Sequence, residues 1–283
     1  MKNPAQYYSV QYNARAGIPD HPEIFARWAT ESAQARRTIL GLFDLQYGET
    51  AGEKLDFFPA SERGAPLLVF IHGGWWRSLD KSDFSFVAPA YVRAGINVAL
   101  TNYTLAPDAS IEQIVMQQLH ALAWLYRHAA KYRFDAQRIV VAGHSAGAHL
   151  TAMTLAALFP VLAPDLPPNL VRAAVMMSGL YDLDPVRHAD FVANDLRLTS
   201  ARIGPLSPAF LPQSHSAPFI TAVGALESDE FQRQNTLIGQ MWKPRHVADI
   251  ALPHANHLTI CDAFGSAKSA LFDATVGLVA NLR

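Results

Sequence analysis

The run Gly143-His144-Ser145-Ala146-Gly147 follows an apolar stretch, 138–142, and opens a helix-like stretch, 146–158. A serine at the apex of a strand–turn–helix has its hydroxyl lifted above a sheet edge. The flanking glycines are then needed because neighbouring backbone leaves no room for a Cβ. Such a serine also fits a plain helix N-cap. To act as a nucleophile it needs a base, a group that orients the base, and donors for the developing oxyanion. Leu252-Pro253-His254-Ala255-Asn256-His257 lies past the last strand-like run and supplies the base. His257 is the expected base and His254 the runner-up. Gly224-Ala225-Leu226-Glu227-Ser228-Asp229 supplies the acid, with Glu227 expected three residues beyond a strand-end glycine. Asp229 and Asp182 stay open as alternatives. His72-Gly73-Gly74-Trp75-Trp76 also follows a buried strand. Its Gly73-Gly74 turn aims backbone N–H groups inward, so Gly73, Gly74 and Trp75, with Ala146 after the serine, are the expected oxyanion site. His72 is expected to be structural. Trp75, Trp76 and Tyr103 stand at strand ends and are the expected aromatic walls of a substrate pocket; Tyr181 and Phe210 are weaker candidates. The spacing of His254 and His257 also suits metal ligands, but no neighbouring Cys, His or carboxylate completes a set, so neither metal nor cofactor is expected.

These groups need a scaffold that brings strand ends together. Short apolar runs at 67–71, 96–100, 138–142, 171–177, 219–223 and 247–252 alternate with helix-period segments. The helical segments are 21–37, 84–93, 111–132, 146–158, 230–241 and 266–282. Two further strands are expected at 40–47 and 54–58. Alternation of this kind predicts an α/β class with a mostly parallel central sheet and helices on both faces. Every chemical residue named above then falls at a carboxyl end of a strand, where such sheets bind ligands. The segment 185–212 is proline-punctuated and reads as an irregular cap or lid over the site.

Half of the 283 residues are hydrophobic and 17% are charged, enough for one large core, so a single domain over 1–283 is expected. A net charge of −1 gives no basis for binding nucleic acid or an anionic membrane. The single cysteine, Cys261, excludes an internal disulfide and suits a reducing compartment. The first fifteen residues lack an apolar signal core and no run reaches membrane-spanning length, so a cytoplasmic protein is expected. The oligomeric state, monomer or homodimer, is left open.

The chain resembles α/β-hydrolases throughout, including their order of serine, then acid, then histidine. His72-Gly73-Gly74-Trp75-Trp76 is similar to the H-G-G-x-W signature of kynurenine formamidases (arylformamidases) and their bacterial relatives. So are Gln11-Tyr12-Asn13-Ala14-Arg15, Asn102-Tyr103, Ser178-Gly179-Leu180-Tyr181-Asp182, the stretch from Glu227 to Gln234, and Asn256-His257. In that group aspartate often stands where this chain has Glu227, and Trp76 beside Trp75 is a mild departure. The resemblance implies a serine hydrolase of small amide or ester substrates without a cofactor, with N-formyl aryl amides as the first expectation. A short-chain carboxylesterase or another amide or carbamate hydrolase is the alternative, since one apparatus cleaves all of these. A non-catalytic ligand-binding protein on the same fold is the remote third.

Overall fold

The computed structural model describes residues 4–214 and 216–282. It opens with α1 (Pro4–Tyr12) and α2 (His21–Thr38), followed by β1 (Leu42–Gln46), β2 (Lys54–Phe58) and β3 (Ala65–Ile71). Next come α3 (Ala88–Arg93), β4 (Asn97–Thr101), α4 (Ile111–Tyr132), β5 (Phe134–His144), α5 (Ala146–Ala156), α6 (Phe159–Leu162) and β6 (Ala173–Met177). The chain then runs through α7 (Asp190–Leu196), α8 (Ser200–Leu206), β7 (Phe219–Gly224), α9 (Asp229–Met241), β8 (His246–Leu252), α10 (Thr259–Gly265) and α11 (Ala270–Ala280). The strands form one sheet in the order β1-β2-β4-β3-β5-β6-β7-β8. β1 and β2 run antiparallel at one edge, and the pairs from β4 through β8 are parallel.

The sheet is mostly parallel because its central strands are apolar on both faces. Along β3, Leu67, Val69 and Ile71 enter one core while Leu68 and Phe70 enter the other. Along β5, Val141 joins the first core, and Val140 and Ala142 the second. Continuous apolar strands of this type need helices on both sides. α4 and α5 cover one face; α2, α3, α10 and α11 cover the other. α4 is held at its start by a capping box between Ser110 and Gln113, and it ends on Arg133 in the left-handed region at φ +63°. β8 is the far edge and its exposure alternates, as an edge strand covered on one face should.

Several elements differ from the sequence reading. α1 is absent from it, and so is α10. The segment read as helix over 84–93 is a 3₁₀ turn, Lys81–Val87, followed by the six residues of α3. The segment 185–212, expected to be irregular, carries α7 and α8 with two 3₁₀ turns. Among the described residues no helix is long and apolar enough to cross a membrane.

One glycine in the first turn of α5 is irreplaceable on steric grounds. A Cβ at Gly147 would sit 2.0 Å from the carbonyl oxygen of Ile71 in β3. That oxygen belongs to a central strand and cannot yield, so Gly147→Ala is expected to cost about 3 kcal/mol or more of stability. A denaturant titration of the variant checks this through a lowered midpoint at unchanged slope.

Candidate active site

Ser145 sits between β5 and α5 at φ +55° and ψ −118°, a conformation that non-glycine residues rarely hold. Its N–H bonds to the Met177 carbonyl at 2.8 Å, and its own carbonyl accepts from Ala148 and His149 as α5 begins. The over-determined turn fixes the side chain while leaving Oγ free to meet a base. His257 Nε2 lies 3.0 Å from Ser145 Oγ, and His257 Nδ1 lies 2.6 Å from Glu227 Oε2. The second oxygen of Glu227 accepts from Ser178 Oγ at 2.6 Å and from Gly224 N–H at 2.8 Å. With Glu227 ionised, the imidazole proton belongs on Nδ1, which leaves the Nε2 lone pair for the serine proton.

The loops after β7 and β8 hold this chain of contacts together. Ala225 N–H bonds to Leu252 O, and Leu226 N–H bonds to Ala255 O. His144 adds a tie from the central strand, with Nε2 2.7 Å from the His257 carbonyl. Burial, then the neighbouring His257, push the His144 pKa well below its ordinary value. His144 therefore stays neutral and donates to that carbonyl. Its ring centre lies 4.8 Å from that of His257 without placing a second charge there.

The alternatives from the sequence are placed elsewhere. His254 is exposed. Asp182 faces Arg233 Nη1 at 3.2 Å, and Asp229 stands in the first turn of α9. Neither carboxylate is hydrogen-bonded to His257.

After β3 the backbone turns through Gly74 at φ +104°, Trp75 at +56° and Trp76 at +54°. A Cβ on Gly74 would lie 2.1 Å from the Ser78 carbonyl, so this loop too requires glycine. Gly73 packs against Ser145, because its would-be Cβ falls 3.1 Å from that of the serine. No acceptor among the described residues takes the N–H groups of Gly73, Gly74, Trp75 or Ala146. The loop is pinned from below by His72, with Nδ1 2.8 Å from Gly73 O and Nε2 2.9 Å from Asn102 Oδ1. Tyr103 stacks on the His72 ring at 4.5 Å and donates its hydroxyl to His72 O at 3.1 Å.

Of the three expected pocket aromatics, Trp75 alone is partly exposed. Trp76 is 0% and Tyr103 1% exposed, and both are packed into the core beneath the loop. The reading of these two as pocket walls is corrected to that of loop supports. Tyr181 is likewise enclosed, and Phe210 lines a separate cavity with Met241 and Trp242.

The sequence reading missed what covers the site. Ser145 is 2% and His257 6% exposed. Above them lies the N-terminal segment, α1 followed by a 3₁₀ turn at Ala14–Gly17. Tyr12 is fully buried between the rings of Trp75 and Phe231, and Phe231 in turn lies 4.2 Å from the His257 ring. The Tyr12 hydroxyl donates to Glu230 Oε2 at 2.8 Å and accepts from Gln234 Nε2 at 2.9 Å. Ser228 Oγ bonds to Gln11 O, and Asp190 N–H bonds to Ser9 Oγ. A cavity of about 220 Å³ between this segment and His257 is lined by Gln11, Asn13, Ile18, Phe231 and Asn256. Asn13 and Phe191 also line a second cavity of about 490 Å³ beside Trp75. The clue in the sequence was Phe231, which stands in the first turn of α9 shortly after Glu227.

The buried histidines have a measurable consequence. Burial lowers the pKa of His72, His144 and His149, the last to about 4. Each is neutral in the folded state, whereas the unfolded chain binds a proton at about pH 6.5. Their contribution to stability is complete above about pH 6.5 and is lost as pH falls toward 4. Denaturant midpoints measured between pH 7 and pH 4.5 should therefore fall steadily, and His149→Gln should flatten part of that slope.

This geometry agrees with what the chain is similar to. A family model described as BD-FAE matches residues 55–159, which contain both the loop at 72–76 and Ser145. Kynurenine formamidase of Danio rerio is 32% identical over 212 residues, covering 71% of this chain and 69% of the fish protein. A candidate thioesterase from Silicibacter sp. TM1040 has a crystal structure that superposes with a TM-score of 0.82 at 28% identity, covering 95% and 97% of the two chains. Esterase B of Lactobacillus rhamnosis shares the fold at a TM-score of 0.70 and 16% identity, covering 92% of this chain and 96% of its own. An eight-stranded, mostly parallel sheet, 32% identity to the fish protein and the 69% of it that is covered lead to one assignment: the chain is a hydrolase of the α/β-hydrolase fold and belongs to the kynurenine formamidase family.

Proposed function

We propose that the protein hydrolyses N-formyl aryl amides of the N-formylkynurenine type through a formyl-enzyme intermediate. The hydrogen-bonded line from Ser145 through His257 to Glu227 carries the reading. Ser145 Oγ attacks the formyl carbon while His257 Nε2 takes its proton. Glu227 keeps the imidazole in the required tautomer and stabilises the imidazolium. The oxyanion meets the unclaimed N–H groups of Gly74, Trp75 and Ala146, with Gly73 shaping the turn; loss of one such donor costs about 3 kcal/mol of barrier. His257 then protonates the leaving aryl amine. In the second half a water molecule, deprotonated by His257, releases formate and restores Ser145. The formyl side needs space for a hydrogen only, which suits a serine this enclosed, and Trp75 offers a ring face to the aryl group. The N-terminal segment and residues 185–212 together act as the cap that excludes bulk water.

The test compares kcat/KM for N-formylkynurenine with that for a short aryl ester, using Ser145→Ala as the blank. Preference for the formamide supports the reading. Cleavage of the ester alone would make the protein an esterase, since the same three side chains serve both reactions. A fluorophosphonate probe should label wild type and leave Ser145→Ala unlabelled; no labelling of folded wild type would sink the mechanism.

A further inference from the structure

Past the carboxyl end of β6 stands a second serine in a backbone pose like that of the first. His144 of β5 pairs with Met177 of β6, so Ser145 and Ser178 are the next residues of neighbouring strands. Both lie in the left-handed region, Ser145 at φ +55° and Ser178 at φ +50°. Each N–H crosses to the adjacent strand: Ser145 N–H bonds to Met177 O at 2.8 Å, and Ser178 N–H bonds to Ala222 O at 2.9 Å. The two hydroxyls are used differently. Ser145 Oγ lies 3.0 Å from His257 Nε2, whereas Ser178 Oγ donates to Glu227 Oε1 at 2.6 Å. Ser178 is fully buried and its hydroxyl is committed to the carboxylate, so it is not placed to attack a substrate.

A glutamate side chain turns about three torsions, and one hydrogen bond to a histidine does not fix them all. Here Oε1 accepts from Ser178 Oγ and from Gly224 N–H at 2.8 Å, while Oε2 meets His257 Nδ1 at 2.6 Å. Two donors on one oxygen set the plane of the carboxylate and with it the direction of the other oxygen. Gly224 belongs to the same turn as Glu227, so Ser178 is the tie from a different strand. A buried carboxylate needs donors of some kind for stability alone. The backbone at Ser178 points further. Glycine would hold φ +50° without strain, so what serine adds at that position is its hydroxyl. The residue before it, Met177, receives the N–H of Ser145. One strand end thus holds both the nucleophile's turn and the acid.

We infer that Ser178 is a positioning residue of the reaction: its hydroxyl fixes the Glu227 carboxylate so that Oε2 stays on His257 Nδ1 while the imidazole gains its charge. This rests on the reading of Ser145, His257 and Glu227 given above, to which it adds a fourth side chain. The hydroxyl touches no reacting atom. It acts on the steps in which His257 takes or returns a proton, and not on how a substrate is bound.

The test uses a fluorophosphonate, which reacts with an activated serine whatever the natural substrate. The maximal labelling rate and the half-saturating concentration are measured for wild type, Ser178→Ala and Ser178→Gly. Glycine accepts the left-handed backbone, so it keeps the test available if the alanine variant fails to fold. The maximal rate should fall by about 10- to 100-fold in each folded variant, the size expected for a lost hydrogen bond to a charged group. The half-saturating concentration should stay within about twofold. The low-field proton resonance of His257 Nδ1–H, identified by its loss in His257→Gln, should move upfield in both variants, because a loosened carboxylate accepts a longer hydrogen bond. A role confined to stability would lower the denaturant midpoint and leave rate and resonance in place. An unchanged maximal rate in folded Ser178→Gly, or a resonance that keeps its wild-type position, would overturn the assignment. Failure of the underlying reading looks different: wild type would take no label, or Ser145→Ala would still take it, and the basis of this assignment would go with that reading.

Discussion

Replacing Ser145 with alanine is expected to lower kcat/KM by about 10⁵-fold or more, with the denaturant midpoint little changed. The size follows from the way the three groups act. Among the described residues His257 Nε2 bonds to no other hydroxyl, so without Ser145 Oγ the imidazole has no proton to take and no acyl-enzyme can form. Stability survives because the turn is held by the backbone bonds of Ser145 to Met177, Ala148 and His149, none of which uses the side chain. Alanine must still adopt φ +55°, as serine does. Residual turnover in the variant would come from the N–H groups and binding alone. Initial rates on purified variant and wild type, with circular dichroism to show folding, check both halves. Activity within tenfold of wild type would mean that Ser145 is not the nucleophile.

The second large effect concerns the acid. Glu227→Gln should lower kcat by about 10⁴-fold, because an amide beside Nδ1 no longer stabilises the imidazolium and can impose the wrong tautomer. Asp229→Asn should leave kcat within about twofold, since Asp229 makes no hydrogen bond to His257 and stands at the start of α9. The comparison is informative because both changes remove one negative charge from the same three-residue stretch, Glu227-Ser228-Asp229. A general electrostatic effect would move both variants alike, and a specific hydrogen bond would move one. His144 should add no ionisation to the acid limb of the wild-type pH profile, because burial holds its pKa well below the ordinary value. Near-normal activity in Glu227→Gln would return Asp229 and Asp182 to consideration.

The order of the chemistry along the chain was legible because each group sits at the end of an apolar run, and apolar runs are the strongest signal in a buried parallel sheet. Glu227 was singled out by its distance from Gly224, and the structure shows how the two are related: the Gly224 N–H bonds to the Glu227 carboxylate, so strand end and carboxylate form one turn. α4 was read with the same bounds that the structure shows, because its apolar residues keep helical period and its caps are strong. Burial of aromatic residues was not legible. Trp76 and Tyr103 follow strand ends as Trp75 does, but positive φ angles through 74–76 and the stack of Tyr103 on His72 turn them under the loop. No local pattern encodes that rotation. α1 escaped notice because Pro4–Tyr12 has no apolar stripe of its own. Its stability comes from Tyr12, whose partners lie in α9. The two helices in 185–212 were hidden by their prolines, one of which, Pro205, lies inside α8.

The Tyr12–Glu230 hydrogen bond spans 218 positions of the chain. It joins α1 to α9, which is synthesised long after it. Contacts this distant in sequence close late, since the loop entropy between them must be overcome first. Ser145, Glu227 and His257 themselves follow three different strands, β5, β7 and β8, and α1 precedes all of these in the chain. A ribosome-bound chain that has already folded its central strands still lacks His257 and α9, the helix to which Tyr12 is hydrogen-bonded. Catalytic competence is therefore a late event in the life of each molecule, and the appearance of activity on refolding marks completion of the fold rather than its nucleation.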